Sequence, residues 1–166
     1  MPSNGPEKIQ FSSINKVLMR VVLIALIVLV GYYGNKAVQS YLGQSAIDNS
    51  GLEVLSLEQA LQKAQASNKL VLADMSAIWC PTCRKLDEQV FSDPAVKTAL
   101  EQHFVYARIE YESPQGQDFM QKYKVSGFPT LLVLNQSGEK LVQLPLSFDP
   151  LAFIENLNQV VQKTSQ

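Results

Sequence analysis

The chain has 166 residues, 46% of them hydrophobic and only 17% charged, against roughly 25% charged in an average soluble domain. Residues 1–36 carry Lys8, Lys16, Arg20 and Lys36 against Glu7, whereas the remainder is acidic, with ten basic against fourteen acidic side chains. An acidic body without a Lys/Arg cluster argues against a nucleic-acid partner, the aliphatic content against disorder, and a count of two cysteines against a disulfide-dense scaffold.

The first element is an apolar run. Val21 to Val30 reads VVLIALIVLV without a break. Extending it from Val17 to Asn35, with Arg20 snorkelling outward, gives a helix of roughly 28 Å, enough for the hydrocarbon core of a bilayer. Tyr32 and Tyr33 then fall at the far interface, where amphipathic rings sit. A buried core helix needs a polar face, and this run has none. A cleaved signal peptide needs a small-residue site, and Gly34, Ala37 and Ser40 are poorly spaced for one. An uncleaved signal anchor fits best. The basic residues ahead of the span keep the N-terminus cytoplasmic. Four segments are therefore expected: 1–16 cytoplasmic, 17–35 in the bilayer, 36–54 a flexible tether rich in Ser, Gly, Asn and Gln, and 55–166 the folded domain.

Within the domain, Ser56 and Gln59 form a capping-box pattern for a helix to about Ser67. Residues 70–75 (LVLADM) read as a buried strand. Cys80 and Cys83 follow on a turn, then helix from Arg84 to Phe91, and a further helical piece starting at Pro94. Residues 104–110 alternate, with Phe104, Tyr106 and Arg108 on one face, and form a strand. A short helix covers 115–123. Residues 130–134 and 139–143 pair as a hairpin about Asn135–Gly138. A last helix starts at Asp149-Pro150, with Leu151, Ile154, Leu157 and Val161 along its stripe. The order α-β-α-β-α-β-β-α implies a right-handed parallel crossover, then an antiparallel hairpin: an α/β domain with a mixed central sheet and helices on both faces.

The chemistry sits in Trp79-Cys80-Pro81-Thr82-Cys83. A thiolate at a helix N-terminus is stabilised by the helix dipole and by unpaired N–H groups. The second cysteine lies one turn on, in reach of a mixed disulfide on the first. Pro81 suits the first helical position, and Arg84 and Lys85 add positive charge. Other readings are weaker. A structural disulfide closing so short a loop stabilises little. A zinc site needs four ligands, and beyond the cysteines the chain offers only the distant His103. No metal and no cofactor is expected.

Residues 55–166 resemble a thioredoxin-fold domain, in a three-layer architecture. Asp74 lies six residues before Cys80, Trp79 directly precedes it, and Gly127-Phe128-Pro129-Thr130 is similar to the family's cis-proline loop. More narrowly, the stretches 69–80 and 90–96 are similar to the C-terminal periplasmic domain of the transmembrane disulfide reductase of the bacterial Dsb system. The resemblance implies that Cys80 attacks, Cys83 resolves, and the buried Asp74 exchanges a proton with Cys83. It implies that Trp79, Pro81, Thr82, Phe128 and a cis Pro129 line the substrate site. The expected function is then a periplasm-facing thiol–disulfide oxidoreductase in the bacterial inner membrane, with reduction favoured. The expected partners are protein thiols and disulfides, a membrane electron donor or acceptor, and the bilayer itself. A dedicated reductant for cytochrome c maturation and a non-catalytic thioredoxin-like binding or chaperone module are the alternatives.

Overall fold

A computed structural model describes residues 10–164; Glu7 and Lys8 lie outside the described residues. Helix α1 covers Gln10–Ser50. The chain divides into two units after Val38. In the first, the side chains of Val17 to Val30 stand exposed. The helix holds an 18-residue window apolar enough, by length and composition, to cross a membrane.

The second unit begins inside the expected tether. The stretch 36–54 is helical as far as Ser50 rather than coil, and Gly51 ends the helix at φ +68. Gly43, Ala46 and Ser50 are buried while Tyr41, Gln44 and Asn49 are exposed. This is helical periodicity written in small residues, which a hydrophobicity pattern passes over.

The remaining elements are α2 Leu57–Ser67, β1 Leu70–Ser76, α3 Pro81–Leu86, α4 Pro94–His103, β2 Phe104–Glu110, α5 Pro114–Tyr123, β3 Thr130–Leu134, β4 Lys140–Gln143 and α6 Pro150–Thr164. A π-helical turn, Asp87–Phe91, follows α3 directly. The Ser56–Gln59 capping box forms as expected. Asp93 caps α4, its carboxylate accepting from the N–H groups of Ala95 and Val96.

The sheet order is β2-β1-β3-β4. β1 pairs with β2 in parallel and with β3 antiparallel, and β3 with β4 antiparallel. The sheet is mixed, as expected. Alternation divides β1, β2 and β3 between two cores. Leu72, Tyr106, Leu131 and Val133 pack with Leu86, Phe91, Leu100, Phe153 and Leu157 on one face. Val71, Ala73, Met75, Ala107 and Leu132 pack with Ala60, Ala64, Phe119 and Tyr123 on the other. The stripe of α6 differs from expectation. Phe153, Leu157 and Val160 are its buried residues, Ile154 and Val161 only flank them, and Leu151 is 75% exposed in the first turn.

One register relation positions the site. Asp74 lies opposite Arg108, and Ser76 opposite Glu110. Asp74 and Ser76 share the face of Leu72, on the side of the sheet where α3 packs. Four polar side chains are thereby directed into one half of the core beneath the cysteines.

Candidate functional site

Strand β1 ends at Ser76, and a short loop delivers Cys80 to the start of α3. Cys80 is the N-cap residue, with Pro81 in the first helical turn. Its Sγ accepts a hydrogen bond from the backbone N–H of Cys83 at 3.2 Å. This is the cap role that Ser or Asp oxygens usually fill, performed here by sulfur. Both cysteines are free thiols and both are buried. Burial pushes the Cys83 thiol up to about 12, helped by its hydrogen bond with Cys80 and opposed by Ser76 and the Ala77 backbone.

Trp79 and Phe128 pack against the thiol pair together with Ala77 and Tyr111. The Trp79 and Phe128 rings meet edge to face at 5.5 Å, and Phe128 meets Tyr111 at 4.9 Å. The Phe128–Pro129 peptide bond is cis. Thr130 Oγ1 donates to the Gly127 carbonyl at 2.8 Å, closing that loop on itself. Pro81 and Thr82 stand exposed on the first turn of α3. Sequence reasoning missed Tyr111, whose ring completes the aromatic wall.

Asp74 lies beneath, 1% exposed. Its Oδ2 accepts from Tyr106 Oη at 2.8 Å and from an Arg108 guanidinium nitrogen at 3.3 Å. Its Oδ1 has no hydrogen-bond partner among the described residues. The same Arg108 nitrogen donates to both oxygens of Asp87, at 3.0 and 3.2 Å. Glu110 accepts from the Ile78 N–H at 3.0 Å. One guanidinium therefore bridges two buried carboxyl groups, with the partly buried Glu110 two residues along the same strand.

Burial dominates the electrostatics of this cluster. It raises Asp74 above the ordinary carboxyl range despite Arg108 and Tyr106. It brings Asp87 and Glu110 each to about 7, against the pull of Arg108. For Arg108 burial acts the other way, and the surrounding Asp74, Tyr106 and Asp87 outweigh it and hold the guanidinium charged. Tyr106 is pushed well up by burial and by Asp74. The carboxyl groups retain protons far above their usual range because a low dielectric penalises charge more than one shared cation relieves it.

Sequence reasoning placed Asp74 here but missed Tyr106, Asp87, Arg108 and Glu110. The alternation of residues 104–110 had already put Tyr106 and Arg108 on one face. An arginine within a strand so apolar was the signal for a buried counter-charge.

Comparison with known proteins agrees with this geometry. The thioredoxin-like domain family matches residues 57–160. The thiol:disulfide interchange protein DsbD of Photorhabdus laumondii is 34% identical over 86 residues, 51% of this chain and 15% of that relative. A thioredoxin from Thermus thermophilus shares the fold with a TM-score of 0.61 and 33% identity, covering 68% of this chain and 88% of that one. The oxidised DsbD C-terminal domain of Neisseria meningitidis superposes with a TM-score of 0.51 and 25% identity, over 62% of this chain and 91% of that one. The chain belongs to the thioredoxin-like domain family, and residues 57–160 are the part that matches it.

Proposed function

We propose that this protein is a membrane-anchored thiol–disulfide oxidoreductase that works as a reductant outside the cytoplasm. The observation that carries the chemistry is the Cys80 sulfur at the α3 N-terminus, accepting the Cys83 N–H at 3.2 Å. Negative charge on that sulfur meets a donor and the positive end of a helix. Cys80 therefore attacks a partner disulfide. A Cys80–partner bond forms, the partner S–S bond breaks, and one partner thiolate leaves. Cys83 then attacks Cys80 Sγ, the pair becomes a disulfide, and the second partner thiolate departs. Two electrons pass from the pair to the partner.

Cys83 must lose its proton in the second step, and burial holds that thiol at about 12. Its thiolate is formed only as it attacks, with Asp74 Oδ1 as the acceptor in this reading. Ser76, which opposes the rise of Cys83, sits on the same face. Trp79, Tyr111 and Phe128 form the wall against which a partner segment lies, with Pro81, Thr82 and Pro129 around it.

The direction follows from charge. A dithiol oxidises others strongly when its reduced thiolate is stabilised. Here burial holds the Cys83 thiol up at about 12. That disfavours a stabilised thiolate pair and makes the dithiol a donor of electrons. The similarity to thiol:disulfide interchange proteins supports exchange at this pair. Residues 17–35 are the anchor in this reading, with residues 1–16 cytoplasmic. A membrane protein that resupplies electrons is the implied second partner.

Replacing Cys83 with Ala tests the mechanism. The expected result is a covalent partner trapped on Cys80 and released by dithiothreitol. A folded Cys83→Ala chain that traps nothing overturns it. A reduction potential near thioredoxin's, about −270 mV, fits a reductant, and one near −120 mV reverses the direction.

A further inference from the structure

The loop Ala77–Trp79 carries Cys80 to its place, and its central residue is held from two sides. From the sheet, Glu110 Oε2 accepts the Ile78 N–H at 3.0 Å. From outside, residues 39–50 of α1 cross the loop at Gly43. A Cβ added to Gly43 would overlap the Ile78 carbonyl oxygen and lie 3.1 Å from its carbonyl carbon. Only glycine lets the helix backbone come this close.

Two polar contacts hold the same helix on either side of Gly43. Gln39 Oε1 accepts from the Arg84 guanidinium at 2.9 Å. The Ser50 carbonyl accepts from Lys97 Nζ at 2.9 Å. Arg84 directly follows Cys83. A segment outside the matched region 57–160 thus touches the residues on both flanks of the cysteine pair.

We propose that residues 39–50 and Glu110 form a clamp on the catalytic loop, with Gly43 and Glu110 as positioning residues for Cys80. This rests on the exchange reaction above. Sulfur exchange requires the attacking atom in line with the bond it breaks, so loop position sets rate. The helix acts through Ile78, two residues before Cys80, and through Arg84, one residue after Cys83.

The test uses the full chain in detergent, reduced, reacting with a small aromatic disulfide. Gly43→Ala adds one methyl group while favouring helix, so it displaces the contact without unwinding the segment. The expected result is exchange slowed by up to roughly a hundredfold, as for an ångström-scale misplacement, with circular dichroism unchanged. Glu110→Ala is slowed likewise, and Glu110→Gln, which keeps an acceptor for Ile78, retains the rate. Tyr41→Ala, on the 76% exposed side of the same helix, matches wild type. Should Gly43→Ala lose its helical signal, the contrast between Glu110→Ala and Glu110→Gln decides. A folded Gly43→Ala chain that exchanges at the wild-type rate overturns the clamp. A wild-type chain that exchanges no disulfide overturns the reaction on which it rests, which is a separate result.

Discussion

Asp87 gives the most direct access to the cluster beneath the thiols. Its side chain is 3% exposed and shares one Arg108 nitrogen with Asp74. Burial, only partly offset by Arg108, brings its pKa from an ordinary 3.8 to about 7. The unfolded chain releases that proton near 3.8. Between these values the folded chain therefore binds one proton more than the unfolded chain. Unfolding free energy must fall as pH rises through this window. The contribution is fully present below about pH 4 and lost as pH passes 7. A gap of about 3 pKa units, at about 1.36 kcal/mol per unit, amounts to about 4 kcal/mol. Glu110, also brought to about 7, slopes in the same direction. Asp87→Asn removes one titrating proton and leaves the Glu110 slope. Denaturant unfolding at several pH values between 5 and 8, followed by far-UV circular dichroism, measures both chains. Wild type is expected to lose stability across the range, and Asp87→Asn to lose less, by a slope of about one proton. Parallel curves, or wild-type stability rising with pH, would refute the assignment.

Arg108→Leu leaves Asp74 and Asp87 buried without their shared cation. At pH 8 it is expected to destabilise by about 3–5 kcal/mol, and by less at pH 5, where the carboxyl groups hold protons; equal losses at both pH values would contradict the charge argument. In the reduced chain at pH 8, iodoacetamide is expected to modify Cys80 and spare Cys83, whose thiol is held at about 12. Peptide mass spectrometry reads this, and equal labelling of the two, or preferential labelling of Cys83, would contradict these roles.

The fold was legible because each strand carried its burial in its pattern. Residues 70–75 lacked polar alternation because β1 is central and covered on both faces. The capping pattern at Ser56 and the proline at 94 marked helix starts that the structure repeats. The cysteine pair was legible as a local motif, and Asp74 through the resemblance to thioredoxins. Arg108, Asp87 and Glu110 were not, because their meeting depends on the register of β1 against β2 and on the turn after α3, which bring together residues 13 to 36 positions apart. The segment 39–50 was misread for a different reason. Its buried face consists of glycine, alanine and serine, so the property that packs it is the absence of bulk. The stripe of α6 was right at Leu157 but one residue late at Ile154 and Val161, beside the buried Phe153 and Val160, and its first member, Leu151, is exposed.

Trp79 is the only tryptophan in the chain. Its ring lies edge-on to Phe128 and packs against the cysteine pair. The molecule therefore carries its own optical gauge at the reacting sulfurs. Indole emission senses the polarity and quenchers around it, and a disulfide quenches it more strongly than a dithiol. Each turnover can be followed in the unlabelled chain, with no background from a second fluorophore of the same kind.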